Sequence, residues 1–136
     1  MKNYKIEIEI FEGNGGELQK DGDKIIYPDL AKEGICAWMY RGDGEKSYHQ
    51  GQRFRYPEDL DKLCPWLVDS MNSIIRVLRY GGTLPWLYEG TSYQKEMDPD
   101  GITTEFVRCL DPTRSGIVVK IIRSHIKTSP QAQSPR

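Results

Sequence analysis

Cys64-Pro65-Trp66-Leu67-Val68-Asp69-Ser70-Met71-Asn72-Ser73-Ile74-Ile75-Arg76-Val77-Leu78-Arg79-Tyr80-Gly81-Gly82 is a helix with a legible start and stop. Leu67, Met71, Ile74, Ile75 and Leu78 recur at helical spacing and share one apolar stripe, while Asp69, Asn72, Ser73, Arg76 and Arg79 fall elsewhere on the cylinder. Pro65 suits the first helical position, where its missing N–H would have had no intrahelical partner. That makes Cys64 the N-cap, and Gly81 supplies the left-handed residue that ends the helix. The spacing predicts a helix over residues 65–80, packed by one face on a sheet, with Ile74, Ile75 and Leu78 buried.

Outward from the helix the pattern changes to strands. In Tyr4–Phe11 the residues Ile6, Ile8 and Ile10 alternate with Lys5, Glu7 and Glu9, the period-two signature of a half-buried strand. Gly13-Asn14-Gly15-Gly16 breaks it, and Lys24–Tyr27 is a short apolar run ended by Pro28. Ile35–Tyr40 and Gln52–Tyr56 read as a hairpin-like pair joined by the polar segment Arg41–Gln50. Ile102–Leu110 and Gly116–Arg123 read as a second pair joined by Asp111-Pro112-Thr113-Arg114-Ser115. The expected fold is α+β: a mostly antiparallel sheet of about five strands with one principal helix packed on it. Residues 1–127 form a single domain, and the Ser, Pro and Gln composition of 128–136 predicts a disordered tail.

Composition narrows the function classes. A chain of 136 residues that is 38% hydrophobic suffices for one core. With 19 basic against 20 acidic residues it lacks the electrostatic footprint of a nucleic-acid binder. No apolar run approaches a membrane span, and Met1–Phe11 lacks the apolar region of a signal peptide, so no membrane association and a cytoplasmic location are expected. Three widely spaced cysteines fit free thiols in a reducing compartment better than a disulfide framework. Arg41-Gly42-Asp43 matches a cell-adhesion tripeptide, which without a secretory signal is a chance match in a turn.

Several short motifs occur in a fixed order: Cys36, His49-Gln50-Gly51-Gln52-Arg53-Phe54, Cys64-Pro65-Trp66, Leu78-Arg79-Tyr80-Gly81-Gly82 with Pro85-Trp86, Cys109-Leu110-Asp111-Pro112, and Val118-Val119-Lys120-Ile121. Over residues 35–123 this combination resembles a family of small, functionally uncharacterised bacterial and archaeal domains. Its members typically show a Cys-Pro-Trp helix start, a Gly-Gly-x-x-Pro-Trp helix exit and a late Cys-x-Asp-Pro turn, and some carry the domain in tandem. The resemblance implies no known reaction. The stretch between Cys36 and His49 is longer here, and residues 1–34 lie largely outside the resemblance.

Two regions carry candidate chemistry. Cys64 at a helix start meets unpaired N–H groups that favour a thiolate, and Ser, Thr, Asp or Asn would cap better, so sulfur there hints at function. Cys36, His49, Cys64 and Cys109 together have the ligand types of a Cys₃His zinc or iron site, although no close Cys-x-x-Cys pair announces one. The alternative is that Cys36 and Cys109 are small hydrophobes within strands, and the three sulfurs are expected not to converge. The second region is the aromatic and acidic loop after the helix, where Trp86, Tyr88, Glu89 and Tyr93, with Glu105 and Arg108, have the composition of a small-molecule pocket.

On this reading Cys64, His49, Glu89 and Glu105 are the candidate catalytic residues: a thiol, a proton shuttle and two carboxylates for acid and base roles. Trp66, Trp86, Tyr88, Tyr93 and Arg108 are the candidate ligand contacts. The preferred function is small-molecule handling, as a compact enzyme or small enzyme subunit, in a pocket between Cys64, the 86–93 loop and the strand carrying Cys109; two alternatives stay open. One is a metal-binding or redox accessory domain built on the thiols. The other is an interaction module, with exposed tryptophans forming a homo-oligomer or partner surface.

Overall fold

The computed structural model describes residues 3–13, 15–16, 19–40, 49–112 and 116–126. Its centre is a four-stranded antiparallel sheet in the order β4-β1-β6-β5, formed by β1 (Tyr4–Glu12), β4 (Arg53–Tyr56), β5 (Ile102–Arg108) and β6 (Val118–His125). A separate two-stranded ribbon pairs β2 (Gln19–Asp21) with β3 (Lys24–Ile26), and the main helix is α2 (Pro65–Arg79). The fold is therefore α+β and mostly antiparallel. The tail 128–136, the Arg41-Gly42-Asp43 tripeptide and most of the segment 41–50 lie outside the described residues.

Strand alternation sets the two faces. Ile6, Ile8 and Ile10 of β1 stand opposite Arg123, Ile121 and Val119 of β6, and all six are buried. Against this face α2 lays Leu67, Met71, Ile75 and Leu78, which are buried, while Ile74 at the margin of the stripe is only half-buried. On the opposite face β1 pairs Glu9 with Arg53 and Glu7 with Arg55 across strands, and Arg53 Nε lies 3.1 Å from Glu9 Oε1. Such solvent-facing ion pairs fix register more than they stabilise.

Ile35–Tyr40 is not a strand. Asp29 caps a short helix, α1 (Leu30–Glu33), by accepting from Lys32 N–H, and Gly34 at φ 69° ends it. The chain then coils into a turn in which Tyr40 N–H donates to Cys36 O at 3.0 Å. The apolar character of this run serves tertiary contacts: Met39 is buried in the core, and Trp38 Nε1 donates to Lys62 O at 3.0 Å. The strand β4, expected to pair with it, pairs with β1 instead.

Both ends of α2 are set by identifiable contacts. Before it, the Asp59 carboxylate accepts from Arg55 N–H at 2.8 Å and from Lys62 Nζ at 3.2 Å, holding the turn Leu60–Lys62 that leads into the helix. Burial of this carboxylate is more than offset by those donors, chiefly the Arg55 amide, so its pKa is lowered. At the far end Gly81, at φ 85°, donates to Leu78 O, and Gly82 N–H donates to Val77 O at 2.9 Å, the two bonds of a Schellman stop. A Cβ at Gly82 would come 2.9 Å from Val77 Cγ1 and 3.0 Å from the Val77 carbonyl oxygen, so a larger residue there would force Val77 to shift. Arg123, fully buried, donates from Nη1 to Leu78 O at 2.9 Å and to Gly82 O at 2.7 Å, and from Nη2 to Thr103 Oγ1 at 3.2 Å. Its guanidinium lies 4.5 Å from the centroid of the Tyr4 ring. Its pKa is lowered by burial, partly countered by Tyr4. Among the described residues it has no carboxylate partner, and the negative end of the helix takes that place.

Candidate functional site

The N-terminal end of α2 meets the end of the sheet where β1 finishes, β5 finishes and β6 begins. There Cys36 from the turn after α1, Cys64 at the helix N-cap and Cys109 just beyond β5 line one small pocket. Each reaches it through local structure. Gly34 ends α1 and turns the chain so that Cys36 faces inward, and Pro65 at the first helical position leaves Cys64 just outside the helix. Cys109 N–H donates to Ile117 O at 2.9 Å, which extends the β5–β6 pairing past its last regular residue. Ile10, Leu63, Leu67 and Ile117 supply the apolar floor, and the half-exposed indoles of Trp38 and Trp66 form the rim.

All three cysteines are half-buried, free of disulfides and line one pocket, although among the described residues they are not drawn together as a metal cage. Neither Cys36 nor Cys109 lies within a strand, contrary to the reading of both as strand hydrophobes. Burial raises the pKa of the Cys36 thiol, against backbone N–H groups of Met39 and Trp38 that lower it, and negative charge at Cys64 or Cys109 raises it further. Cys109 is raised in the same way, first by burial and then by Cys64 and Asp111, against the Asp111 N–H and the Ser70 hydroxyl. The Cys64 side chain makes no capping hydrogen bond, so its sulfur is not committed to the helix.

The pocket's free volume is about 30 Å³. That is room for an ion or a water or two, against the roughly 300 Å³ at which pockets for organic ligands begin. His49 does not line it: the ring lies on the exposed loop before β4, with Nδ1 3.0 Å from Gln50 O. The Cys₃His set is therefore not assembled. Among the described residues no three His, Cys, Asp or Glu side chains are already arranged as a metal cage.

None of Trp86 to Tyr93 lines the thiol pocket, so the single pocket expected to join them to Cys64 is divided. Trp86, Tyr88 and Glu89 are exposed on the loop. Tyr93 instead packs on Phe11 and Phe106, at ring centroid distances of 5.8 and 5.5 Å, and its hydroxyl donates to the Glu12 carboxylate at 2.7 Å, with Arg108 Nη2 3.5 Å away. The hydrogen bond to Glu12 raises the Tyr93 pKa. Glu105 is not a free acid or base, because Lys95 Nζ lies 2.8 Å from its Oε2 and both side chains are almost completely buried. Lys95 also sits 5.5 Å from the Tyr88 ring centroid and donates weakly to Leu84 O at 3.4 Å, so the pair fastens the 83–101 loop to β5. Glu89 and Glu105 thus do not form the expected acid–base pair.

Sequence reasoning missed Lys95 and Arg123. Nothing local marks Lys95, a lysine in a polar loop. For Arg123 a signal existed: it continues the inward series Val119, Ile121 and so places a charge at a core position. Against protein-family models, curated proteins and solved structures, the chain finds no match.

Proposed function

We propose that this protein is a thiolate metal-binding domain that takes one zinc ion, or an ion of similar softness such as ferrous iron, between Cys36, Cys64 and Cys109. The observation that supports the reading is that cysteines from three distant segments line one apolar pocket with room for an ion and not for an organic substrate. Burial raises the Cys36 and Cys109 thiols and neighbouring thiolates raise them further, so both are poor nucleophiles, and a soft cation in the pocket would remove that repulsion. The sulfurs draw together around the ion, and binding releases their protons, which makes affinity rise with pH. The tryptophan rim limits access of water and larger ligands.

The test is calorimetric titration of metal-free protein with Zn²⁺, repeated on Cys36→Ser, Cys64→Ser and Cys109→Ser. One ion per chain is expected, with each substitution weakening binding by more than about a hundredfold, since outer-shell changes alone cost 10–100-fold. Absence of stoichiometric binding in the parent, or parent-like affinity in all three variants while they remain folded, contradicts the proposal.

A further inference from the structure

A second concavity lies at the opposite end of α2, independent of the thiols. It is an open groove of about 600 Å³ between the last two turns of the helix and the edge formed by β1 and β4, lined by Asn3, Asn72, Tyr56, Tyr80, Arg76 and Arg79 among others. Among the described residues no carboxylate lines it. This volume lies in the range of small-molecule sites, roughly 300–1,000 Å³, in contrast to the thiol pocket.

Arginines in the last turn of a helix ordinarily complement the negative end of its dipole. Here that role is already filled. Arg123 donates to Leu78 O and Gly82 O, Gly82 N–H to Val77 O, and Tyr80 N–H to Arg76 O. Arg76 and Arg79 are surplus to it, and among the described residues neither guanidinium meets a carboxylate. Arg79 rests over the Tyr56 ring at 5.5 Å from its centroid, which holds one guanidinium on the groove wall. Two guanidiniums at i and i+3, flanked by the amides of Asn72 and Asn3 and by phenol rings, make a forked donor array that among the described residues meets no carboxylate.

We infer that this groove binds a small oxyanion-bearing molecule, phosphate or carboxylate, gripped by Arg76 and Arg79. The interaction is charge-assisted and bidentate, so it is specific to planar or tetrahedral oxyanions and not to any anion in proportion to its charge.

The experiment is an amide chemical-shift titration of the metal-free full chain at low ionic strength with two probes, pyrophosphate and citrate. Saturable binding of at least one probe is expected, with shifts centred on Asn72, Arg76, Arg79 and Tyr80. The doubly substituted Arg76→Gln/Arg79→Gln chain is expected to bind at least about tenfold more weakly, and Arg53→Gln/Arg55→Gln to bind as the parent does. A preference for pyrophosphate assigns the ligand class to phosphates, and one for citrate assigns it to carboxylates. Shifts that grow linearly without saturating, or equal loss in both double variants, overturn the inference. Because the protein is metal-free, its outcome is independent of the thiol site.

Discussion

The guanidinium of Arg123 donates to the carbonyl of Leu78 at 2.9 Å, so the central strand β6 reaches through the core to hold the last turn of α2. A buried cation thereby takes the place of the water that would otherwise satisfy the helix end. Replacing Arg123 by Met is expected to destabilise the domain by about 2–4 kcal/mol, because the Gly82 carbonyl is left without its donor and that of Leu78 loses one of its two. Urea unfolding monitored by circular dichroism measures it. A loss below about 0.5 kcal/mol would show that water replaces the guanidinium without cost.

The Lys95–Glu105 pair separates two physical regimes. Exposed, it would contribute about 0–1 kcal/mol, but breaking a buried pair leaves an uncompensated charge and costs about 3–5 kcal/mol. Lys95→Met and Glu105→Leu are each expected to show the larger loss, and the double substitution to recover much of it. The same single variants should become sensitive to proteolysis within residues 83–101, since the pair fastens that loop. Equal, additive losses in the double-mutant cycle would show the pair to be uncoupled.

Asp59 gives a pH signature. Its pKa is lowered in the fold, so its contribution is present above the unfolded value near 3.9 and is lost as pH falls through the lower folded value. Asp59→Asn should therefore be less stable than the parent at neutral pH, with the difference narrowing as pH falls below about 4. A difference that stays constant down to the acid transition would mean that the Arg55 amide and Lys62 do not favour the ionised carboxylate.

Elements whose burial repeats along the chain were legible, and those set by distant contacts were not. The stripe Leu67, Met71, Ile75, Leu78 and the alternation Ile6, Ile8, Ile10 each announce one buried face, and both elements form where their periods place them. Ile74 falls short because it lies on the margin of the stripe. Ile35–Tyr40 reads as a strand but forms a turn, because apolar composition is shared by strands and by turns that plug a core, and the left-handed Gly34 decides between them. The ribbon strand Gln19–Asp21 is polar and wholly exposed, leaving no periodic trace. That Cys36, Cys64 and Cys109 line one pocket depends on how three segments dock, which sequence spacing does not encode.

Thiol reactivity should follow burial. Cys36 and Cys109 have raised pKa values, chiefly through desolvation, so their alkylation by iodoacetamide is expected to rise only above the pH at which a free thiol, near 8.5, ionises. Cys64, unhindered by a capping bond, is expected to be labelled first. The sign for stability is the reverse of that for Asp59: the contribution of the protonated thiols is present below about pH 8.5 and is lost as pH rises through their raised folded values. Mass spectrometry of partly labelled protein ranks the three sites. Faster labelling of Cys36 or Cys109 than of Cys64 would show that burial does not control them.

The most direct measurement on the thiol site is protection from alkylation by metal. Metal-free protein is given one equivalent of Zn²⁺ per chain and then iodoacetamide, and labelling at Cys36, Cys64 and Cys109 is read peptide by peptide. If the three sulfurs share one ion, all three lose reactivity together at a single equivalent and regain it together on chelation. Protection of Cys64 alone, or no protection until zinc is in large excess, would contradict a shared site.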